Sequence, residues 1–118
     1  MEQEELSMET NVGTRRERWM ALKPFAYRDI ARAIETNALY EVNFPGTWSR
    51  IHVIVSDAID EYWGECLSET KIVCDGTVNT PDTIQANEFH LKFFWKIDPT
   101  DEWTIVEFTL SPSGMEVK

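Results

Sequence analysis

A chain of 118 residues with a 42% apolar share is long enough to bury one core without disulfide or metal staples, and it reads as a single domain. Its net charge of −10 argues against nucleic acid or an anionic membrane as a whole-protein target, and no apolar run approaches a membrane span. Five tryptophans, six phenylalanines and three tyrosines argue against disorder outside the first dozen residues.

The start, MEQEELSMET, is too acidic and polar for a secretory signal or transit peptide, so a cytoplasmic location is expected. Residues 1–13 read as a flexible acidic tail, and 14–118 as the folded α+β domain. Thr14-Arg15-Arg16-Glu17 has the Thr-x-x-Glu form of a capping box, which suits a short helix with Trp19 and Leu22 on its apolar edge. Lys23-Pro24 should interrupt that helix, because proline lacks the amide donor and disfavours helical geometry just before it. A fresh helix then fits 24–36, since Ala26, Ile30, Ala33, Ile34 and Asn37 recur at helical spacing. Its small alanines let it lie close against a sheet.

Leu39 to Phe44 reads as a strand and Pro45-Gly46 as a turn. Trp48 to Val55 reads as a second strand, rich in β-branched residues, with Ile51, Val53 and Val55 on one face and Arg50, His52 and Ile54 on the other. Ser56 to Leu67 admits two readings. Ile59, Trp63, Cys66 and Leu67 sit at helical spacing, with acids near the start. Tyr62-Trp63 ahead of a strand at Lys71 to Asp75 instead favours a turn followed by a strand from Glu61 to Leu67, which is the preferred reading. Asp75-Gly76 turns the chain, and residues 78–87 form a loop.

The strongest pattern is Glu88 to Ser111, which reads as one long β-hairpin. Phe89, Leu91, Phe93, Trp95 and Ile97 share one face of its first arm; Thr104, Val106, Phe108 and Leu110 share one face of its second. A type I turn over Pro99-Thr100-Asp101-Glu102 pairs Asp98 with Trp103, which sets Trp95 opposite Val106, Phe93 opposite Phe108 and Leu91 opposite Leu110. The chain should end in a turn at Ser111–Gly114 with frayed residues after it. The expected fold is α+β: a twisted antiparallel sheet of five or six strands with one main helix, 24–36, on its apolar face. In architecture alone this order is similar to cystatin-like or nuclear-transport-factor-like cones, and a likeness of architecture carries no function across.

No catalytic, cofactor-binding or metal-ligating residue emerges. His52 and His90 read as partly exposed structural histidines. Cys66 and Cys74, with seven residues between them, do not match a zinc spacing and read as reduced thiols, though a disulfide stays open. There is no Gly-x-Ser-x-Gly and no phosphate-cradling glycine loop. Proton transfer by Asp57 or Asp60 with Tyr62 would need a carboxylate with a raised pKa in an apolar pocket.

Two features point to interaction instead. Arg15, Arg16, Arg18, Lys23, Arg28 and Arg32 against Glu17 and Asp29 leave 15–32 at +4 and the rest of the chain at −14, while Asp57, Asp60, Glu61, Glu65 and Glu69 lie in a stretch without a base. In the hairpin, Phe94, Trp103 and Ile105 point away from the main apolar row, beside Lys92, Lys96 and Glu107, with Lys96 and Glu107 as neighbours that brace this face. Aromatics among a few charges are how a protein-binding patch reads. The expectation is a non-enzymatic interaction module that self-associates, docks an acidic-aromatic surface on a basic protein partner, or both. By size and charge it is analogous to viral or phage accessory, inhibitor and immunity-type proteins. Two alternatives are a small-molecule binder or isomerase-like enzyme with a pocket in a cone-shaped sheet, and nucleic-acid binding through 15–32.

Overall fold

The computed structural model describes residues 2–38 and 43–118, with side chains from Thr14 onward except that of Tyr62. The order of elements is α1 (Glu2–Ala38), α2 (Pro45–Ala58), a π-helical turn (Ile59–Trp63), β1 (Glu69–Val73), α3 (Pro81–Gln85), β2 (Phe89–Lys96), β3 (Thr104–Ser111) and β4 (Gly114–Val117). The four described strands form one antiparallel meander in the order β1-β2-β3-β4. The α+β class and the antiparallel sheet are as expected; the sheet has fewer than the expected five or six strands.

The first difference is at Pro24, where α1 continues without a break. Trp19 and Ala26 on either side of the proline are both fully buried, together with Ile30 and Ile34 further on. Packing against one core carries the helix across a residue that costs an isolated helix about 3 kcal/mol. Thr14 therefore lies inside a helix rather than capping one. Near the other end, Asn37 Nδ2 donates to the Ala33 carbonyl at 2.7 Å, and Arg50 Nη2 donates to the Asn37 carbonyl at 3.0 Å. A cation on the last carbonyls complements the negative end of the helix.

The second difference removes a strand. Trp48 to Val55 is helical, as α2, with Pro45 at its first turn, where the missing N–H costs nothing. Its buried residues Trp48, Ile51 and Val55, continued by Ile59, recur at three and four residues, so the apolar period outweighs the β-branched composition. Of the strand expected at Leu39 to Phe44, residues 39–42 lie outside the described residues; Phe44 is the extended residue before α2. Glu61 to Leu67 is not a strand either. The π-turn extends α2, and Cys66 and Leu67 beyond it are buried, which is the helical alternative. Gly64 closes that turn so tightly that a Cβ there would lie 2.9 Å from the Asp60 carbonyl oxygen.

The hairpin forms with the predicted faces but in a different register. Phe93 pairs with Val106, Leu91 with Phe108 and Phe89 with Leu110, a slip of two residues. Because side chains alternate with period two, such a slip keeps both apolar rows on one side. Asp98 and Trp103 lie in the connection, which is held by Asp101 N–H to the Asp98 carbonyl at 2.9 Å. The C-terminal residues add a strand: Gly114, at φ 117°, lets the chain reverse after Pro112-Ser113, and Phe108 pairs with Val117. The loop at 78–87 contains α3, whose Thr80 and Thr83 cap each other reciprocally.

The helix-on-sheet contact expected for 24–36 is present. Tyr27 meets Phe93 and Phe108 edge-on, with ring centroids 6.5 and 6.1 Å apart, and accepts a hydrogen bond from Trp95 Nε1 at 2.9 Å. Trp19 packs edge-on between Trp95, at 5.3 Å, and Trp63, at 6.3 Å. The π-turn thus sits against the Trp95 end of the inner face.

Candidate interaction face

With the inner rows of β2 and β3 buried under the helices, strand alternation sends His90, Lys92, Phe94, Lys96, Ile105, Glu107 and Thr109 to the outer face. Phe94 pairs directly with Ile105, and Trp103, one step before β3, leans back on Phe94 with rings perpendicular at 6.1 Å. Phe94 is half-buried, but Trp103 and Ile105 keep 39% and 52% of their surface exposed. The structure therefore brings together the three apolar residues singled out from the sequence.

Lysines frame them. Lys96 Nζ lies 4.6 Å from the Trp103 ring and Lys71 Nζ 5.5 Å from the Phe94 ring, both within cation–π range. Lys92 forms an ion pair with Glu107 at 3.3 Å and Lys118 with Glu116 at 3.0 Å, while Lys96 stands 4.0 Å from Glu69. The expected Lys96–Glu107 neighbourhood is thus replaced by Lys92–Glu107, a direct consequence of the register slip. Four of the chain's five lysines are on this face.

The acids expected to share the surface stand elsewhere. Asp57 is in the last turn of α2, Asp60 and Glu61 are in the π-turn, and Glu65 follows it; all are exposed. The chain enters the sheet just after them, where Ser68 N–H donates to the Lys96 carbonyl at 2.9 Å. The acids of 60–65 therefore sit beyond one end of the aromatic face rather than on it. The basic residues of α1 reach the same end. Arg16 Nη2 binds Asp101 Oδ2 at 3.1 Å, and Arg15 and Arg16 both act on Asp98. Arg18 is exposed on α1. The Asp98 carboxyl is held below its usual range, mainly by the Thr100 N–H and hydroxyl and less by the two arginines. At least one arginine is thus committed to an acid of its own sheet.

One constellation was missed from the sequence. On the outer face His90 Nε2 is 3.0 Å from Glu88 Oε1, and Thr109 Oγ1 is 3.1 Å from His90 Nδ1. Glu88 and His90, two apart, were legible as neighbours on one strand face; Thr109 was not until the register was known. The chain of hydroxyl, imidazole and carboxylate resembles a nucleophile relay, but β3 is paired on both sides, so its amides are engaged in the ladder and offer no donor pair for an oxyanion. His52 is on α2, not a strand, with Nε2 3.1 Å from the Ile72 carbonyl.

Cys66 and Cys74 are both free and buried. Burial, with a smaller contribution from Asp75, pushes the Cys74 thiol up to about 12. Among the described residues no three His, Cys, Asp or Glu side chains gather to hold a metal ion, and no helix is long and apolar enough to cross a membrane. A cavity of about 490 Å³ opens between Ala38, Asn43, Ile84 and Leu110. Among the described residues its one lining carboxylate is Glu88, which is 37% exposed and paired with His90 rather than enclosed in an apolar pocket. No protein-family model matches the chain, and no curated protein or solved structure matches it either.

Proposed function

We propose that this chain is a non-enzymatic protein-interaction module that docks through the outer face of its sheet. The observation that carries this reading is the placement of Phe94, Trp103 and Ile105 together on the side opposite the helices, with Trp103 and Ile105 left partly in water. An antiparallel sheet with one solvated face ordinarily presents polar residues there. A tryptophan, a phenylalanine and an isoleucine ringed by charges have instead the composition of an interface core with a polar rim. The acids at 57–65, beyond the end of this face, bias encounters away from nucleic acid.

A photo-crosslinking side chain placed at Ile105, compared with one at Val53 on exposed α2, tests the reading in cells. Protein adducts through position 105 and not through 53 are expected. Adducts at both positions alike, or none at 105, would overturn it.

A further inference from the structure

We propose that the partner of the outer sheet face is a second copy of this chain, docked face to face about a two-fold axis. The inference rests on the docking reading above and names its occupant.

The first argument is charge. The chain as a whole carries −10, which opposes self-association through most of its surface. The outer face is the exception. Lys71, Lys92, Lys96 and Lys118 there stand against Glu69, Glu107 and Glu116, four cations to three anions, so the repulsion between two copies is far smaller on this side than over the rest of the surface.

The second argument is register. Across the β2–β3 ladder, Phe94 faces Ile105 and Lys92 faces Glu107, while Lys96 stacks on Trp103. A two-fold axis running along the strands between β2 and β3 exchanges the two strands while keeping each row at its level. Each residue then meets the other copy's version of its own cross-strand neighbour. Phe94 lies against Ile105 of the second copy, Lys92 against Glu107, and Lys96 against Trp103. Every complementary pair within the chain is repeated between the chains, as an isologous interface requires. Two sheets stacked this way keep their strands nearly aligned, one of the two usual packings. The face measures at most about 19 by 27 Å from ordinary strand spacings, so the dimer is expected to depend on concentration rather than to be obligate.

The test is sedimentation velocity on the full chain over a dilution series. The wild-type protein should shift from monomer to dimer with concentration, and Ile105→Lys should weaken that dimer at least about tenfold, as loss of a central apolar contact does. Lys92→Glu alone places four glutamates at the contact and Glu107→Lys alone places four lysines, so each should be monomeric. An equimolar mixture of these two variants should dimerise. In the mixed pair the introduced glutamate of one chain meets the introduced lysine of the other, and the retained Glu107 of the first meets the retained Lys92 of the second. Mixing does not repair the ion pair inside either chain, so recovery reports the interface and not the fold. A monomeric wild type, a dimer indifferent to these changes, or a mixture that stays monomeric would overturn the proposal. Crosslinks from position 105 to another protein would in that case leave the broader docking reading standing.

Discussion

Asn79 and His90 are joined as two residues of neighbouring strands would be. His90 N–H donates to Asn79 Oδ1 at 2.8 Å, and Asn79 Nδ2 donates to the His90 carbonyl at 2.9 Å. β1 ends at Val73, opposite Lys92, so at His90 the flank of β2 has lost its backbone partner. A side-chain amide carries the same donor and acceptor as a peptide, and Asn79, only 2% exposed, continues the ladder by one more rung. Asn79→Ala should destabilise the fold by about 2–4 kcal/mol, because it strands two buried backbone groups. Asn79→Asp keeps an acceptor and loses the donor, so it should be destabilising as well. Urea denaturation checks both; a loss under about 1 kcal/mol for alanine would show that water replaces the amide.

The Trp95–Tyr27 hydrogen bond ties the end of β2 to α1 across 68 residues of sequence. Tyr27→Phe keeps the ring contacts with Phe93 and Phe108 and removes only the acceptor. It should cost about 1–2 kcal/mol, with a change in tryptophan fluorescence as the Trp95 indole loses its partner. Tyr27→Leu should cost more, since the edge-on ring contacts go too.

How these contacts were and were not legible follows from what each depends on. The two faces of the hairpin were readable because period two survives a slip of two residues, so Phe94, Trp103 and Ile105 were placed together correctly. The register was not readable, because it depends on how many residues the connection takes: a type I turn over 99–102 was plausible, yet the connection is longer. Lys92–Glu107 and Thr109–His90 were lost with it. Ile51, Val53, Ile54 and Val55 looked like a strand by composition, whereas the spacing of Trp48, Ile51, Val55 and Ile59 carried the helix. Pro24 was read by its local cost, and burial on both sides outweighed that cost. β4 was missed because its four residues bury little and need Gly114 at positive φ to turn.

Gly64 offers a compact test of the π-turn. An added methyl would meet the Asp60 carbonyl, which is backbone and cannot swing aside. Gly64→Ala should therefore destabilise the protein by about 1–3 kcal/mol, against the usual gain from replacing glycine by alanine at an unstrained site. Thermal unfolding of the variant beside wild type decides it: a higher melting temperature would mean the turn relaxes at no cost.

On the alkaline side, Cys74 and Tyr27 both have folded pKa values raised by burial, the Tyr27 increase being partly offset by the Trp95 hydrogen bond. Their protonated forms are favoured by folding. That stability is present in full below the unfolded thiol value, about 8.5, and is lost as pH rises towards the folded Cys74 value of about 12. Cys74→Ala should flatten the decline between those limits. In the native protein at about pH 8 a thiol reagent should leave Cys74 unmodified until denaturant is added.

The acid side has the opposite sign. Asp75, Asp98 and Asp101 all have lowered pKa values, from the Thr77 hydroxyl and N–H, the Thr100 N–H and hydroxyl, and the Asp98 N–H with Arg16, respectively. Folding favours their ionised forms, so the stabilisation is present above the unfolded carboxylate value of about 3.9 and fades as pH falls through the folded values. Asp98 and Asp101 form a turn with Thr100 at the tip of the hairpin, and Arg16 binds that turn from α1. Protonating Asp101 weakens its hold on both the Asp98 amide and the arginine. Asp101→Asn should therefore make stability less dependent on pH below the unfolded carboxylate value of about 3.9, while Arg16→Gln should raise the Asp101 pKa towards the ordinary value. Carbon-detected NMR titration of the aspartate carboxyls reads each value separately, and an Asp101 midpoint unchanged in Arg16→Gln would show that the Asp98 amide alone sets it.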